Sequence, residues 1–405
     1  MDKPVGELEF WREGASALMP MVVALRRDIH KFPELGLHLP ETTRRVKEGL
    51  AGLDVEIAES TATTSLVVTL KGATQGPTIL LRGDMDALPM PEDTDLEFKS
   101  VNEGRMHACG HDSHTAMLVG AVHLLHRHRE KLNGNVKFFF QTGEEGHAGA
   151  LRVIEEGMLA AAPVPNAAFA IHISPNIPTG VIASRPGPLM AATDTIHIEI
   201  VGKGGHASQP QYTLDPIPVA CEIVTALQSL VTRKIEAFDP VVLSITKIEG
   251  GTTQNVIPES ARLLGTLRSF SEKSRSKARD GIERIADHIA RAHGLEAKIN
   301  LVPGYPVTVN DSGFVDFAER VGRDLLGEKG FMRMPAPIMG AEDFSYVLQH
   351  MPGAMVFLGV APDGVSHHHA HACHSNRMTM DEAAMANGIA MHAAIAHRYL
   401  GGAAD

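Results

Sequence analysis

Several short segments of this sequence carry the residue types that bind metal ions and move protons. In one of them, a single glycine separates Cys109 from His111, ahead of a predicted long helix. A thiolate and an imidazole at this spacing on an irregular loop can both face one metal ion. The same pair also fits a small buried cysteine that happens to precede a histidine. The segment therefore indicates a metal site only together with other ligands.

Two adjacent carboxylates, Glu144 and Glu145, follow the continuous apolar run Val136–Phe140, which predicts a buried strand. Neighbouring side chains at a strand end point in different directions, so one can bind a cation while the other accepts a proton from water. The carboxyl ends of strands are also where open α/β sheets place their ligands. Alone, such a pair is more often a solvated acidic turn.

Two more chemically useful residues end predicted strands. His172 ends the apolar run Ala167–Ile173, where a histidine is either a ligand or a hydrogen-bonded residue of the core. Asp86 follows another strand, within Arg82-Gly-Asp-Met-Asp86, and could orient a ligating imidazole by a hydrogen bond or simply cap a turn. The occurrence of such residues on successive strand ends favours one shared site.

Two further segments hold histidines in unusual surroundings. The tract His367–His374 reads HHHAHACH, and one member could complete a metal site while the others are loop residues that bind metals only weakly. His206 lies in the glycine-rich segment Gly202–Ser208, where backbone can approach a ligand closely. It could donate a hydrogen bond to a developing oxyanion, or it could be an ordinary turn residue.

The elements that must position these residues fall into two patterns. Strands alternate with helices up to residue 173, including helices predicted at Ser113–Leu132 and Gly149–Leu159, which indicates a mostly parallel α/β sheet covered on both faces. From residue 187 the order becomes strand–helix–strand–strand–helix–strand, typical of a small α+β unit. We therefore predict a discontinuous metal-binding catalytic domain, residues 1–186 and 303–405, and an inserted domain at residues 187–302.

Composition narrows the functional class. The net charge of −11 disfavours nucleic acid or an anionic membrane surface as a partner, whereas the 22 histidines favour a metal site. Three cysteines do not form a disulfide framework and suit a reducing compartment. Because the first residues lack a signal-peptide pattern and no long apolar run is present, we expect a cytoplasmic protein without membrane segments.

Taken together, the motifs resemble a known family. The segments that carry the resemblance occur in the family's order from about residue 25 to the C-terminus: RRDIHKFPELGLHLPETT, LLRGDMDALPM, HACGHDSHTAMLVGA, QTGEEGHAGA, AIHISPNIPTG, GKGGHASQP, TTQNVIPESARLLGTLRSF and MGAEDFSYVL. They are similar to the hippurate hydrolase and indole-acetyl-amino-acid hydrolase branch of the metallo-aminoacylases, relatives of glutamate carboxypeptidase. Eight ordered motifs make a chance similarity implausible.

The resemblance implies a zinc-peptidase-like α/β catalytic domain, an inserted ferredoxin-like domain for lid closure and dimerisation, and two divalent metal ions per subunit (Zn, Mn, Co or Ni). Glu144 would be the general base and Asp86 would orient a ligand. His206 would reach the active site of the partner in a homodimer, and Asn255 would contact substrate. The implied metal ligands are Cys109, which would bridge the two ions, His111, Glu145, His172 and His374.

The last ligand departs from the family's pattern, which usually has one histidine before a small residue. Here His371, Cys373 and His374 are close together, and His374 is chosen because Ser375 and Arg377 after it fit the register. The implied reaction is hydrolysis of the amide bond of a small N-acyl amino acid. Two alternatives stay open, a metallo-dipeptidase or carboxypeptidase on the same scaffold and a non-catalytic ligand-binding protein.

Overall fold

The computed structural model describes residues 6–401, whose contacts divide into two compact units. The first unit runs up to Leu189 and resumes over Val309–Ala336 and from Asp343 onward; the second comprises Met190–Thr308 and Pro337–Glu342. The predicted division into a catalytic domain and an inserted domain, with boundaries near residues 187 and 302, also assigns a functional role to each part of the chain. Those roles stay predictions.

The described residues form helices and strands as follows. The α-helices are α1 (Gly6–Lys31), α2 (Pro40–Gly49), α3 (His111–Arg127), α4 (Gly149–Glu155), α5 (Pro216–Lys234), α6 (Glu272–Ala292), α7 (Ser312–Leu326), α8 (Phe344–Leu348) and α9 (Met385–Leu400). The strands are β1 (Glu56–Glu59), β2 (Leu66–Lys71), β3 (Thr74–Asp84), β4 (Asn133–Gln141), β5 (Ala167–Ser174), β6 (Ile182–Ser184), β7 (Gly187–Met190), β8 (Ala192–Val201), β9 (Gly205–His206), β10 (Val241–Gly250), β11 (Val256–Ile257), β12 (Ser260–Ser269), β13 (Glu296–Pro303), β14 (Thr308–Asn310), β15 (Phe331–Arg333) and β16 (Gly353–Gly359).

The first unit is built on an eight-stranded sheet in the order β1-β2-β4-β3-β5-β16-β6-β15. Its central strands β4, β3, β5 and β16 run parallel, whereas β1, β2 and the β16–β6 pair introduce antiparallel neighbours. The predicted α/β class with a mostly parallel central sheet is therefore confirmed. Because parallel neighbours end at the same edge, the segments that follow β3, β4 and β5 meet there.

Helices cover this sheet and account for its continuous apolar strands. Residues of β16 are buried throughout, as are Val136 and the three phenylalanines of β4. Helices α1, α3 and α9 pack against one another over the same apolar cluster. Helix α4 ends at Glu155, earlier than predicted, because the chain turns at Gly157 with φ +77°. Within residues 6–401, no helix combines the length and apolar character needed to cross a bilayer.

The second unit is an antiparallel four-stranded sheet in the order β10-β12-β8-β13, with α5 and α6 as its connections. The chain order β8-α5-β10-β12-α6-β13 is the ferredoxin-like arrangement that the sequence pattern predicts. Along β8, Ile196, Ile198 and Ile200 are buried while intervening residues are exposed or half-buried. This alternation follows from the two-residue period of a strand that has a helix layer on one face only.

Gly149 is a position where only glycine fits. A Cβ there would overlap the carbonyl oxygen of Thr142, whereas a Cβ at Gly49 meets Val119 Cγ1 at an ordinary 3.4 Å. Both glycines are helical, so alanine gains helix propensity at each site but creates a backbone collision only at the first. We expect Gly149→Ala to lower the free energy of unfolding by about 2 kcal/mol or more, measured by chemical denaturation, and Gly49→Ala to be neutral or stabilising. Equal stabilities for the two variants would contradict this reading of the turn.

Candidate metal centre

The candidate centre lies where β3, β4 and β5 end. Asp84 at the end of β3 pairs in register with Gln141 at the end of β4, and β3 pairs with β5 on its other side. The segments that follow β3 and β4 carry Asp86 and the Glu144–Glu145 pair. Strand β5 carries His172, two residues before the strand ends. Topology alone thus brings together side chains that are far apart in sequence.

The loop before α3 presents Cys109 and His111 to this edge. Gly110 between them is the residue preceding the helix, with φ +85°, and a Cβ there would collide with the side chain of Ile173. Only glycine combines this left-handed backbone with so close an approach. The turn directs a buried thiol and a buried imidazole to the same side of the loop.

His111 is held in the tautomer that leaves one nitrogen available. Its Nδ1–H donates to the main-chain oxygen of Asp86 at 2.8 Å, and its buried Nε2 has no hydrogen-bond partner among the described residues. Burial disfavours the charged ring, but Asp84, Asp86 and Glu145 outweigh it and raise the pKa of His111 to about 10. The carboxylates that favour the protonated ring would favour a metal cation at Nε2 in its place.

His172 shows the same arrangement. Its Nδ1–H donates to the carbonyl oxygen of Ile173 at 2.6 Å, so Nε2 keeps a lone pair and lies 3.3 Å from Cys109 Sγ. Burial and the neighbouring His114 hold the pKa of His172 well below its usual value, so the imidazole is neutral. Metal-binding histidines characteristically donate one nitrogen to a protein oxygen and coordinate through the other.

Glu145 and His374 complete the group. Oε1 of Glu145 lies 3.2 Å from Nε2 of His374 and 4.0 Å from Nε2 of His111. Burial opposes ionisation of Glu145, yet contacts with these two imidazoles outweigh it and lower its pKa. The backbone N–H of His374 donates to Ala108 O at 2.8 Å, which ties the C-terminal loop to the Cys109 loop. His371, the rival candidate, belongs to none of the donor groups found among the described residues.

Asp86 contacts His111 and the Glu144–Glu145 turn through different oxygen atoms. Its main-chain oxygen accepts the hydrogen bond from His111, while its carboxylate accepts the backbone N–H groups of Glu144 and Glu145, each at 2.9 Å. A carboxylate that already accepts two amides from the neighbouring turn has its lone pairs directed there. Asp86 therefore positions both a candidate ligand and the candidate base.

Asp84 and His114 were missed by the reading of the sequence, although their potential ligand atoms lie near that of His111. Nδ1–H of His114 donates to Asp84 Oδ1 at 2.6 Å, and its Nε2 accepts the backbone N–H of Ile173 at 2.8 Å. With both nitrogens engaged, His114 supports the centre rather than offering a ligand atom. The available signal was its position three residues after His111, on the same face of α3.

His206 and Asn255 lie in the second unit and are neighbours there. His206 in β9 pairs with Val256 in β11, and the backbone N–H of Ala207 donates to Asn255 O at 3.0 Å. The exposed His206 ring accepts hydrogen bonds at Nδ1 from Ser208, with Oγ at 2.8 Å. The structure therefore joins the GGHAS and NVIP motifs, which are about 50 residues apart.

The donor set fits divalent metal ions. Three groups made up of the predicted ligands and Glu144 have potential ligand atoms within 4.8 Å of one another: Cys109 with His111 and His172, Cys109 with Glu145 and His374, and His111 with Glu144 and Glu145. Contact with the Cys373 thiol, burial and the two glutamates raise the pKa of the Cys109 thiol, so a cation is the partner that would stabilise its thiolate. Thiolate, imidazole and carboxylate together suit zinc and similar ions.

Comparison with known proteins agrees with this geometry. A model of the peptidase family M20/M25/M40 matches residues 80–398. The chain belongs to this family. It is 38% identical to thermostable carboxypeptidase 1 of Saccharolobus solfataricus, covering 98% of this chain and 97% of that protein. It is also 38% identical to the N-acetylcysteine deacetylase of Bacillus subtilis, covering 90% of this chain and 93% of the relative.

A solved structure extends the similarity to three dimensions. A Bacillus subtilis protein described as a dinuclear metal-binding peptidase of the M20 family is 34% identical to this chain, with a TM-score of 0.82. The match covers 95% of this chain and 99% of that one. The resemblance inferred from the motifs is thus confirmed, and so is the fold class of this M20-family protein.

The double role of Asp86 can be tested by removing its side chain. Asp86→Ala leaves two backbone N–H groups without their acceptor, at about 1–3 kcal/mol for each buried group, and frees the Glu144–Glu145 turn. We expect lower zinc affinity and lower kcat, measured by competition with a chromogenic chelator and by steady-state hydrolysis. Asp95→Ala, at an exposed aspartate on the next loop, is the control and should change neither. An Asp86→Ala protein with unaltered zinc affinity and kcat would refute the positioning role.

Proposed function

We propose that this protein is a metal-dependent amidohydrolase that cleaves the amide bond of small N-acyl amino acids, such as hippurate or N-acetyl amino acids. The observation that carries the proposal is the convergence of two correctly oriented imidazoles, a thiol and Glu145 beside a second, buried carboxylate, Glu144. A relative named for the deacetylation of N-acetylcysteine supports the substrate class.

We assign the binding of two divalent cations to five residues: Cys109, His111, Glu145, His172 and His374. Cys109 belongs to two of the three donor groups, which supports its role as the shared ligand. The similar dinuclear protein of Bacillus subtilis supports the number of ions. Bound divalent cations would polarise the amide carbonyl and acidify the attacking water.

Glu144 is the residue proposed to move the proton. Its Oε2 lies 4.0 Å from Nε2 of His111, and Asp86 holds its backbone N–H. Glu145 beside it is engaged with His374, so the two carboxylates have different tasks. Glu144 accepts a proton from the attacking water at a carboxylate oxygen and delivers it to the amide nitrogen as the amine leaves.

A carboxypeptidase or dipeptidase is the second candidate, because a close relative carries a carboxypeptidase name. The two functions differ in whether the carbonyl side of the scissile amide bond carries a simple acyl group or an amino acid. Hydrolysis of hippurate, N-acetyl amino acids, N-acetyl-diaminopimelate and free dipeptides, with and without chelator, separates them. Chelator-sensitive release of the amino acid from acylated substrates supports the proposal, whereas turnover of dipeptides alone supports the carboxypeptidase or dipeptidase function.

Glu144→Gln tests the proton-transfer role. The amide cannot accept the proton, while the five assigned ligands are unchanged, so we expect kcat to fall about 10²–10⁴-fold with the zinc content retained. Glu155→Gln, at an exposed glutamate that pairs with Arg152, is the matched control and should leave kcat unaltered. Full metal content together with full activity in Glu144→Gln would eliminate Glu144 as the base.

The second unit is proposed to serve as the lid and dimerisation domain of a cytoplasmic homodimer. In this scheme His206 donates to the developing oxyanion in the partner's active site, and Asn255 contacts the substrate. The adjacency of the two residues supports a common role. Association at an exposed strand edge such as that of β10 is compatible with this proposal.

His206→Ala should lower kcat while zinc content stays the same, because the side chain donates a hydrogen bond and binds no metal. Mixing it with Glu144→Gln protein, under conditions that exchange subunits, should restore activity at one site of each mixed dimer. Analytical ultracentrifugation verifies that mixed dimers form. Mixed dimers without restored activity would exclude a contribution of His206 to the active site of the partner subunit.

A further inference from the structure

A second cysteine lies against the proposed metal ligand Cys109. The thiol of Cys373, 264 residues later in the chain, lies against the backbone of Cys109. Cys373 Sγ lies 3.8 Å from Cys109 O and 3.9 Å from Ile173 O. The proposed chemistry of the centre assigns no task to this second thiol.

The backbone brings the two cysteines beside each other. The N–H of His374 donates to the carbonyl of Ala108 at 2.8 Å, so Cys373 and Cys109 flank a direct main-chain hydrogen bond. A disulfide needs such neighbouring backbones, because its Cα atoms are about 4.4–6.8 Å apart. His371, Ala372 and His374 are exposed, which leaves the Cys373 segment room to adjust.

Cys373 is not arranged as a metal ligand. Each cysteine-containing donor group found among residues 6–401 uses Cys109, and Cys373 belongs to no such group. Its sulfur lies near two backbone carbonyls, those of Cys109 and Ile173. The position is that of a thiol that can attack the Cys109 sulfur.

We propose that Cys109 and Cys373 form a reversible disulfide when a hydroperoxide reaches the protein in the absence of its metal ions. This inference rests on the proposed function, because it takes Cys109 as a metal ligand. One of the two cysteines attacks the O–O bond of hydrogen peroxide as its thiolate, which gives a sulfenic acid and hydroxide. The thiol of the other cysteine then displaces the sulfenic oxygen as water, so the two thiols lose two electrons and the peroxide is reduced.

The disulfide has two consequences for the centre. It removes the ligand shared by two donor groups, so the cations cannot rebind until a thiol reductant restores Cys109. It also prevents further oxidation of Cys109 to sulfinic acid, which thiol reductants do not reverse. A bound cation would occupy the Cys109 thiolate and protect it, which confines the reaction to the unloaded protein.

The test uses the full chain stripped of metal by chelation, then treated with hydrogen peroxide and quenched with catalase. Of the three free thiols, two should disappear and exposed Cys221 should remain. Peptide mapping should recover Cys109 linked to Cys373, and zinc uptake should be lost, then regained with dithiothreitol. Zinc-loaded protein under the same treatment should keep both thiols.

Cys373→Ser is the decisive variant, with Cys373→Ala as a second version and Cys221→Ser as the matched control. Both Cys373 variants should bind zinc before oxidation, but dithiothreitol should no longer restore uptake, because Cys109 passes to sulfinic acid. Cys221→Ser should behave as the wild type does. Circular dichroism verifies that each variant is folded.

Three results would overturn the proposal: sulfinic Cys109 without the Cys109–Cys373 link in oxidised wild type, full recovery of zinc uptake in Cys373→Ser, or loss of zinc binding in Cys373→Ser before oxidation. Thiol counts, peptide maps and zinc uptake require no substrate. Failure of the hydrolytic function is registered separately, by the substrate panel on protein that was never oxidised.

Discussion

The centre depends on how Asp86 connects three segments of the chain. Its main-chain oxygen accepts Nδ1–H of His111 and its carboxylate accepts the backbone N–H groups of Glu144 and Glu145. One residue thus sets the orientation of a candidate ligand, of the proposed base and of a second candidate ligand. Charge-assisted hydrogen bonds to a buried carboxylate are strong, and the two amides leave it little freedom to turn.

The candidate metal centre concentrates negative charge in the buried interior around His111. Asp84, Asp86 and Glu145 surround His111 and raise its pKa to about 10, whereas burial and a neighbouring imidazole keep His172 neutral. Buried carboxylates of this density need positive partners, and arginine supplies only part of the charge, through Arg82 and Asp84 at 2.6 Å. Divalent cations are the partners for which the available nitrogen and oxygen atoms are arranged.

The fold of the second unit follows from the burial pattern of its strands. One face of its antiparallel sheet is covered by α5 and α6, so alternate residues of β8 are buried and the fold can be read from period-two patterning. Its candidate functional residues lie on short strands and turns outside this core. These residues lie next to each other because β9 pairs with β11, and the main sheet does not bring them together.

The sequence by itself determined the residue types of the centre and the elements that carry them. Cys109, His111, Glu144, Glu145 and His172 stand at strand or helix ends that local apolar patterning locates, and parallel strands must deliver such ends to one edge. Only the tertiary structure decided which nitrogen of each imidazole is available and which oxygen of Asp86 orients His111. It alone brought Cys373 against Cys109. Hydrogen-bond partners from distant segments settle these details, and no local pattern encodes a contact across 264 residues.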